Sequence, residues 1–566
     1  MAERAVGAAG PAGPPRPGPA GVHAPDGDEA LGPERPGIAR AALTITAWNL
    51  VSRITGFARV IATGAALGIL ALGDTYQRAN ETSNLMFELL AGGVLSSVLI
   101  PTFVVHLSGR SPERARAVGS VLLGRSLAVL AVVTVAGIAA APLIMAGLSA
   151  GVRGPTRDDQ LRLGAVLLWF FMPQLLLYAT GAVASALLQA AHRFTASAAA
   201  PVANNVVAIA TMVAFALVHD PKTGLALPTG EILLLGGGTL AGTMAMTLVP
   251  WVDLRRAGLS LRPRWRHPDA TGLRDLARRG LWGAGHIGLN EVLIGATIVF
   301  AGRVVGGTIA FQIAFTFFLL PHAVLAHPVF TALYPRLSAH AAGGDLAAYA
   351  RDVSLGLRTM VVLLLPASAL LAVVAMPLLQ VVRLGAVDDR GARLVAVVLA
   401  AYATGLVGYS SFFMLTRASY ALDDVRTPTW VNLGVTLAAV AGMAVASASV
   451  TGRGKVVVLG LVHAVAVSAG ALALGRSVAR RARVRIAFAR SAARALVATA
   501  VGAGLAWVVV SAVGWDTRVE AATAVAAAGA AGTGAYVVCL MLLRAPELAP
   551  AQARVRRARE GGVRPR

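Results

Sequence analysis

Apolar stretches of about twenty residues recur along the chain from residue 41 onward, separated by short polar segments. A helix needs roughly twenty apolar residues to cross about 30 Å of hydrocarbon, so each stretch is long enough to span a bilayer. The pattern predicts an all-α polytopic membrane protein with about fourteen transmembrane helices. The predicted spans are 41–69, 82–106, 117–146, 161–190, 196–219, 230–253, 280–302, 306–336, 352–376, 393–421, 427–449, 455–475, 490–512 and 520–543.

The segments at the two ends differ in composition from the spans. Residues 1–38 are rich in proline, glycine and alanine. Such a segment buries too little apolar surface to offset the entropy of ordering, so we predict a disordered cytoplasmic tail there. A basic cytoplasmic tail is predicted over residues 545–566. Between the tails we predict a six-helix lobe over 39–254, a second six-helix lobe over 276–476, and two extra helices over 488–544.

Similar proline-containing segments recur in the two predicted lobes. Pro101 and Pro335 end the second and eighth spans and stand 234 positions apart. Pro201 and Pro428 open the fifth and eleventh spans and stand 227 positions apart. Two six-helix pseudo-repeats followed by two C-terminal helices are therefore predicted. Repeated halves that face a site near the membrane midplane are typical of transporters.

The distribution of charge along the chain predicts how the helices are oriented in the membrane. Charged residues make up only 14% of the sequence, yet the formal net charge is +23. A soluble domain carries about 25% charged residues. The arginines lie in blocks after even-numbered spans, and they lack the interleaved aromatic residues of a nucleic-acid-binding face. The positive-inside rule then predicts a multi-pass protein of the cytoplasmic membrane, surrounded by membrane lipids, with both termini in the cytoplasm.

The sequence lacks the motifs of an enzyme or a resident cofactor. Cys539 is its one cysteine, and no Cys/His cluster is spaced for a metal. Nucleophile-elbow, Walker and zinc-protease motifs are also missing. We therefore expect a transporter, without a catalytic residue, metal site or cofactor, whose cycle is coupled to the membrane potential or to a monovalent ion.

Two arginines stand inside the first predicted span, in the segment Ser52-Arg53-Ile-Thr-Gly56-Phe57-Ala-Arg59. A charge at bilayer depth costs several kcal/mol unless it faces a cavity or a partner. Arg53 and Arg59 are six residues apart, and their long side chains are predicted to reach one lumen. Gly56 between them would permit close helix approach or a bend. The alternative is that each arginine extends to a membrane interface.

Acidic residues in the second and seventh spans could complete a charge network that gates the lumen. Glu88 is predicted to pair with one of the two arginines, and Asn84 stands one helical turn before it. Asp74 is expected at the outer edge of the membrane, as is Glu81. Glu291 in the seventh span is a second candidate for a buried carboxylate.

Two histidines and an arginine of the second half are further candidates. His322 follows Pro321 and His327 precedes Pro328 in the eighth span, where a structural role is more common than a proton relay. Arg417, together with the acidic and basic residues that follow it, is predicted to form a cluster of ion pairs at the end of the tenth span. The other members of that cluster are Asp423, Asp424 and Arg426.

The first-span motif resembles the MurJ/MviN family, the lipid II flippases of the MOP transporter superfamily, and the second-span motif resembles the actinobacterial branch. The similarity extends from residue 41 to residue 543. Its main positions are Arg53, Gly56, Arg59, Asp74, Asn84, Glu88, Gly93, Pro101, Pro201, Pro321, Pro335 and Pro428.

The resemblance implies that the substrate is an undecaprenyl-pyrophosphate-linked glycan, the lipid II precursor of peptidoglycan, moved across the membrane by alternating access. It matches Arg53 and Arg59 to two arginines of the family's central cavity, and we predict that Ser52 and Asn84 also bind the substrate. Guanidinium groups suit this role because they bind phosphate in a bidentate manner. The two extra helices would provide a groove for the lipid tail, and cell-wall elongation or division proteins would be partners.

Some positions depart from the family pattern and leave alternatives open. Val60 replaces an aspartate, and the arginines expected in the second and eighth spans are replaced near Phe87 and at Thr316. The chain could therefore move another polyprenyl-linked glycan or act as another exporter of the superfamily. A scaffold of the cell-wall machinery that does not transport is the third interpretation.

Overall fold

The computed structural model describes residues 36–89, 112–265, 271–483 and 488–548. These residues form helices joined by short turns, and no strand occurs among them. The predicted all-α fold is therefore confirmed. In the first half, the helices are α1 (Pro36–Leu67), α2 (Ala71–Phe87), α3 (Pro112–Ala139), α4 (Ala141–Leu148), α5 (Arg157–Phe171), α6 (Gln174–Ala190), α7 (Thr195–Val218) and α8 (Thr229–Arg256).

The second half continues with a similar succession of long helices. They are α9 (Thr271–Ala301), α10 (Gly307–Pro321), α11 (His327–Ala342), α12 (Leu346–Val373), α13 (Ala375–Val382), α14 (Asp389–Ala403), α15 (Leu406–Ala421), α16 (Arg426–Ser449) and α17 (Gly454–Arg481). A final hairpin consists of α18 (Ala489–Val513) and α19 (Arg518–Leu542). Asp345, Asp388 and Thr517 cap the N-termini of α12, α14 and α19.

Within the described ranges, twelve helical segments are long and apolar enough to cross a membrane, or thirteen if α14 and α15, bent by 50°, count as one span. The protein is thus a multi-pass membrane protein, and the prediction of about fourteen spans is approximately correct. The second predicted span, 82–106, continues into residues 90–111, which lie outside the described residues.

The start of the second span was predicted wrongly. Helix α2 begins at Ala71 rather than at residue 82, and only residues 68–70 connect it to α1. Its first turns carry Asp74, Gln77 and Arg78, which lower the hydropathy of the segment although all three side chains are buried. Hydropathy therefore misses this part of the helix, because its polar groups face protein partners rather than water.

Several predicted spans are interrupted. The span over 161–190 breaks between α5 and α6, beside Pro173, which cannot donate to the helix ladder. Helices α10 and α11 are joined by a π-helical turn over His322–Ala326 directly after Pro321. Each of these two apolar runs, which the sequence predicts as one span, therefore consists of two helices.

Each half has its own hydrophobic core. Phe171, Leu187 and Phe215 are among the fully buried residues of the first lobe, α1–α8. Phe318 and Tyr402 belong to the core of the second lobe, α9–α17. The α18–α19 hairpin packs against α12 of the second lobe, where the Tyr536 hydroxyl donates to the Val362 carbonyl at 2.6 Å.

Equivalent hydrogen bonds occur in the two lobes. Asn205 Nδ2 of α7 donates to the Ser52 carbonyl of α1 at 3.2 Å. Asn432 Nδ2 of α16 donates to the His286 carbonyl of α9 at 2.9 Å. The two asparagines stand 227 positions apart and the two acceptors 234, the same offsets that relate the repeated prolines. Helix α7 is thus fastened to α1 in the way that α16 is fastened to α9.

A second repeated feature is an ion pair with reversed charges. Arg193, in the turn after α6, pairs with Asp253 near the end of α8 at 2.5 Å. This hydrogen bond and the charge of Asp253 raise the pKa of Arg193 above its ordinary value. In the second lobe, Asp424 after α15 pairs with Arg481 at the end of α17 at 3.0 Å. Both pairs fasten a turn between two helices to the last helix of the same lobe.

Candidate functional site

A polar cavity of about 250 Å³ lies between the first lobe and helix α10 of the second lobe. Its floor and walls come from α1, α2, α6, α7, α8 and α10. Its polar lining residues are Arg59, Thr63, Tyr76, Gln77, Asn80, Glu81, Asn84, Gln174, Tyr178, Asn204, Thr239, Thr243 and Gln312.

Arg59 is the arginine of the first span that lines this cavity. It interacts electrostatically with Glu81, whose side chain accepts hydrogen bonds from Gln77 and Asn84. Among the described residues, no carboxylate lies within 4.0 Å of the Arg59 guanidinium. Its N–H donors are therefore available to an anion that enters the cavity.

The cavity wall opposite α1 is rich in hydroxyl and amide groups. The Tyr76 hydroxyl and Thr239 Oγ1 are 2.8 Å apart. Gln174 Oε1 accepts from the Tyr178 hydroxyl at 3.0 Å and from Thr243 Oγ1 at 3.2 Å. The buried Gln174 Nε2 has no hydrogen-bond partner within the described ranges. This wall can donate to and accept from the hydroxyl groups of a sugar.

Arg53 does not line the same cavity. It is exposed, and its six-residue separation from Arg59 corresponds to about 9 Å along the helix axis. It interacts electrostatically with His322 and His327 of the second lobe. The two arginines therefore occupy different depths along the boundary between the lobes, rather than a single site. Ser52 contributes its backbone carbonyl to the contact with Asn205.

Asp74 lies in α2 and is buried between the lobes, rather than in a solvated connection between two spans. Its Oδ1 accepts from the backbone N–H groups of Thr308 and Ile309, at 2.9 and 3.0 Å. Its Oδ2 accepts from the N–H of Gly306 at 2.8 Å. A carboxylate at this position satisfies the free N–H groups of a helix start and complements the helix dipole. Asp74 of the first lobe thus caps α10 of the second.

Arg78 supports this contact and was not singled out by the sequence analysis. It is fully buried, with Nη2 at 3.9 Å from Asp74 Oδ2. It also donates to Ser149 Oγ at 2.8 Å and to Gln160 Oε1 at 2.6 Å. The signal that could have identified it is its i,i+4 spacing from Asp74 on one helix face.

Backbone contacts close the same end of the lobe boundary. The Ala386 N–H of the second lobe donates to the Ala65 carbonyl of α1 at 2.7 Å. Gly306 has φ +77°, and a Cβ there would lie 2.2 Å from the Ile69 carbonyl oxygen. A side chain at this glycine would therefore collide with the first lobe. Together with Asp74, these contacts form what we call the seal.

The remaining acidic candidates lie on the cavity side of the seal. Glu88 forms no ion pair with Arg53 or Arg59 in the described part of the chain; the acidic neighbour of Arg59 is Glu81. Glu291 of α9 is half-buried and interacts electrostatically with Glu88 and Glu81. The structure thus places Glu291 within electrostatic range of Glu81 and Glu88 across the lobe boundary.

No cationic side chain occupies the two positions where the family pattern has arginine. Phe87 is buried, with its ring centroid 5.3 Å from that of Tyr178. Thr316 Oγ1 donates to the Gln312 carbonyl at 2.9 Å. Arg417 was predicted to join an ion-pair cluster, and instead its guanidinium lies 4.4 Å from the centroid of the Phe330 ring.

The predicted glycine and proline positions have varied locations. A Cβ on Gly56 would lie 3.4 Å from Asn205 Nδ2, so α1 and α7 approach closely there. Pro201, Pro335 and Pro428 lie inside α7, α11 and α16. Gly93 and Pro101 lie outside the described residues.

In the described ranges, no group of three or more His, Cys, Asp or Glu residues is placed to hold a metal ion.

Comparisons with known proteins place this architecture in one family. The family model described as lipid II flippase MurJ matches residues 63–525. The chain is 27% identical over 391 residues to the probable lipid II flippase MurJ of Rhizobium meliloti, with 68% of this chain and 71% of the relative aligned. It is 27% identical over 399 residues to the lipid II flippase MurJ of Burkholderia cenocepacia, with 70% of this chain and 76% of the relative aligned.

Solved structures show the same fold. A structure of lipid II flippase MurJ in an inward closed conformation matches with a TM-score of 0.72 and 17% identity, covering 89% of this chain and 99% of that one. An inward-facing structure of a multidrug resistance MATE family transporter of the MOP superfamily matches with a TM-score of 0.62 and 13% identity, covering 78% of this chain and 98% of that one.

Proposed function

The chain belongs to the lipid II flippase MurJ family, and from this premise we propose that it translocates lipid II across the cytoplasmic membrane for cell-wall biosynthesis. A flippase moves its substrate without making or breaking a covalent bond, so the protein is a transporter. Lipid II combines a pyrophosphate, sugars and a long polyprenyl tail. The headgroup would cross between the lobes while the tail remains in the bilayer.

One observation carries the proposal. Arg59 presents unpaired guanidinium donors to a polar cavity at the lobe boundary, and the boundary is closed at one end by the seal around Asp74. A guanidinium binds a pyrophosphate through charge-assisted, bidentate hydrogen bonds. The hydroxyl-rich wall around Gln174 can bind the attached sugars. Opening the seal while closing the other end would expose the headgroup to the opposite side.

The orientation of the cycle follows from the loop arginines. Arg255 and Arg256 end α8, and Arg480 and Arg481 end α17. The positive-inside rule assigns these helix ends, and with them both termini, to the cytoplasm. The seal lies at the opposite ends of the helices, so this conformation would be the one that receives substrate from the cytoplasm.

A flippase for another polyprenyl-linked glycan is the second candidate. Phe87 and Thr316 leave the cavity with fewer positive charges than the family pattern has. The pyrophosphate is common to these substrates, so Arg59 would serve either one. The two candidates can be distinguished by measuring translocation of two substrates that are supplied separately. One is lipid II, and the other is a polyprenyl-pyrophosphate sugar that lacks the peptide of lipid II.

The same proposal includes a driving force, the membrane potential, and further partners, which are membrane lipids and cell-wall proteins. Moving one elementary charge across a membrane potential of 100 mV changes the free energy by about 2.3 kcal/mol, so half-buried charges such as Arg59 and Glu88 would respond to the potential. Membrane lipids would surround the lobes, and cell-wall elongation or division proteins would use the exported substrate.

Reconstitution tests the proposed function directly. The protein would be placed in liposomes with labelled lipid II in one leaflet, and the appearance of the label in the other leaflet would be measured. We expect translocation by the wild type and at least a roughly tenfold slower rate for Arg59→Ala, because a hydrogen bond to a charged group contributes about 1.5–3 kcal/mol. Arg125→Ala, at an exposed position of α3, is the matched control. Equal rates for Arg59→Ala and the control would contradict the assignment of Arg59.

A further inference from the structure

Arg417 of α15 has an unusual environment for an intramembrane arginine. Its side chain is half-buried, and its guanidinium lies over the ring of Phe330 at 4.4 Å from the centroid. Its electrostatic neighbours include Tyr334 and Tyr420. In the described ranges, no carboxylate lies within 4.0 Å of this guanidinium. An aromatic ring thus holds one face of the group, and its N–H donors are not used by an acidic partner.

His327 stands on the same aromatic ring. Its centroid is 4.9 Å from that of Phe330, and the side chain is exposed. Its Nδ1 is 3.3 Å from Thr331 Oγ1, which leaves Nε2 free to bind a ligand. His327 interacts electrostatically with Arg417 and with Arg53. By contrast, His322 is buried and its Nδ1 is 2.9 Å from Ser410 Oγ, an arrangement that fits a structural role.

Arg417 and His327 lie on the side of the lobe boundary away from the seal. His327 is twenty residues beyond Gly307, or about 30 Å along the helix axis from the sealed end. Arg53 lies between this position and Arg59, about 9 Å from the latter along α1. Arg417, Arg53 and Arg59 therefore follow one another from the open end of the boundary to the cavity, and His327 shares the Phe330 ring with the first of them. Grouped like charges repel one another unless an anion joins them.

We propose that Arg417 and His327 form a phosphate-binding subsite at the mouth of the lobe boundary, where the diphosphate of the lipid substrate binds before it reaches Arg53 and Arg59. This inference rests on the proposed function. Phe87 and Thr316 contribute no positive charge to the cavity. In this chain, Arg417 provides a positive charge at the mouth of the lobe boundary instead. The ligand chemistry it requires is a phosphate or diphosphate ester on an amphiphile.

Binding of undecaprenyl pyrophosphate to the full-length protein in nanodiscs tests the subsite. We expect Arg417→Met to weaken binding about tenfold, and Arg417→Lys to restore part of the loss because it keeps the charge. Arg426→Met is the matched control, because Arg426 also stacks on an aromatic ring, Trp282, at 5.5 Å, but on the neighbouring helix α16. His327→Gln is a second variant, and we expect it to weaken binding without changing the melting temperature.

Each outcome bears on the subsite in a defined way. Unchanged affinity of Arg417→Met and His327→Gln, in a wild type that translocates lipid II, would overturn the subsite and leave the proposed function intact. An equal loss in Arg426→Met would show that the effect is not specific to the subsite, and would also overturn it. Competition by inorganic pyrophosphate at concentrations comparable with the lipid would mean that the residues bind free anions rather than a lipid phosphate, and would overturn the subsite. A wild type that translocates no lipid II would contradict the proposed function itself.

Discussion

At the scale of single residues, the functional chemistry depends on which charges remain unpaired. Arg59 is half-buried and Asp74 is buried near the lobe boundary, and their environments are opposite. Asp74 has three backbone N–H donors and a nearby arginine, whereas Arg59 has no carboxylate within ion-pair distance in the described part of the chain. The hydrogen bonds of Asp74 hold the two lobes together, whereas the guanidinium of Arg59 remains available to bind a substrate.

Asp74→Asn should weaken the seal. The neutral amide keeps the size of the side chain, but hydrogen bonds to a charged acceptor contribute about 1.5–3 kcal/mol each, so losing the charge should shift the ratio of closed to open seal about tenfold or more. Thr308, fully buried beside Asp74, can report this shift when it is replaced by cysteine in a Cys539→Ser background. We expect faster labelling by a membrane-impermeant maleimide.

The matched control for this change is Asp158→Asn. Asp158 is a highly exposed carboxylate, with 75% of its side chain accessible, and its loss should leave the labelling of Thr308→Cys unchanged. Slow labelling in Asp74→Asn, equal to that in the control, would mean that the backbone contacts alone keep the seal closed.

Residue roles could be predicted from the sequence only in part. The cost of burying a charge identifies Arg53, Arg59 and Glu88 as exceptional, because they interrupt apolar runs. It does not identify their partners. Asp74 was expected in a loop because the partners that stabilise it are backbone N–H groups of α10, and such groups leave no signature in the side-chain sequence.

At the scale of helices, small residues determine how the final hairpin packs. Gly532 of α19 is buried where a Cβ would lie 2.6 Å from Leu370 Cδ2 of α12 and 2.9 Å from the Gly502 carbonyl oxygen of α18. Gly534 is two residues further along α19 and faces open space, since a Cβ added there would have no neighbour within 4 Å among the described residues. The two glycines therefore differ in packing while sharing one helix.

Gly532→Leu should destabilise the protein where Gly534→Leu does not. Both changes raise helix propensity by the same amount, so the difference between them isolates packing. Overpacking typically costs about 1–3 kcal/mol, and we expect a lower melting temperature for Gly532→Leu in detergent. Equal melting temperatures would mean that the hairpin moves away from α12 without loss of stability.

Helix existence was more predictable than helix boundaries. Runs of apolar residues predict α16 to α19 well, since these helices are continuous and face lipid on one side. The same criterion fails at α2, whose first turns bury Asp74 and Arg78, and at Pro173, where one run is two helices. Hydropathy measures transfer into lipid, so it cannot detect a polar helix that is covered by protein.

At the scale of the whole molecule, the repeat explains how two similar lobes can rock against each other. Each lobe keeps its own core and its own asparagine contact, through Asn205 or Asn432. The seal crosses between the lobes with a few hydrogen bonds and with Ile69, which packs into the core of the second lobe, so its opening leaves most of each core in place. The repeat was predictable from the spacing of prolines, but the closed end was not, because its contacts are largely made by backbone atoms.

A covalent bond across the seal should therefore stop the transport cycle. The Ala386 N–H donates to the Ala65 carbonyl at 2.7 Å, so cysteines at these positions, in a Cys539→Ser background, are close enough for a disulfide. We expect oxidation to abolish lipid II translocation in liposomes and reduction to restore it. Cysteines at Ser368 and Ala403, which are in contact within the second lobe, provide the control, and oxidising them should leave the rate unchanged. Because the disulfide holds only the sealed conformation, which we propose receives substrate from the cytoplasm, binding of undecaprenyl pyrophosphate should survive it. Continued translocation by the oxidised Ala65–Ala386 pair would contradict the requirement that the seal opens in every cycle.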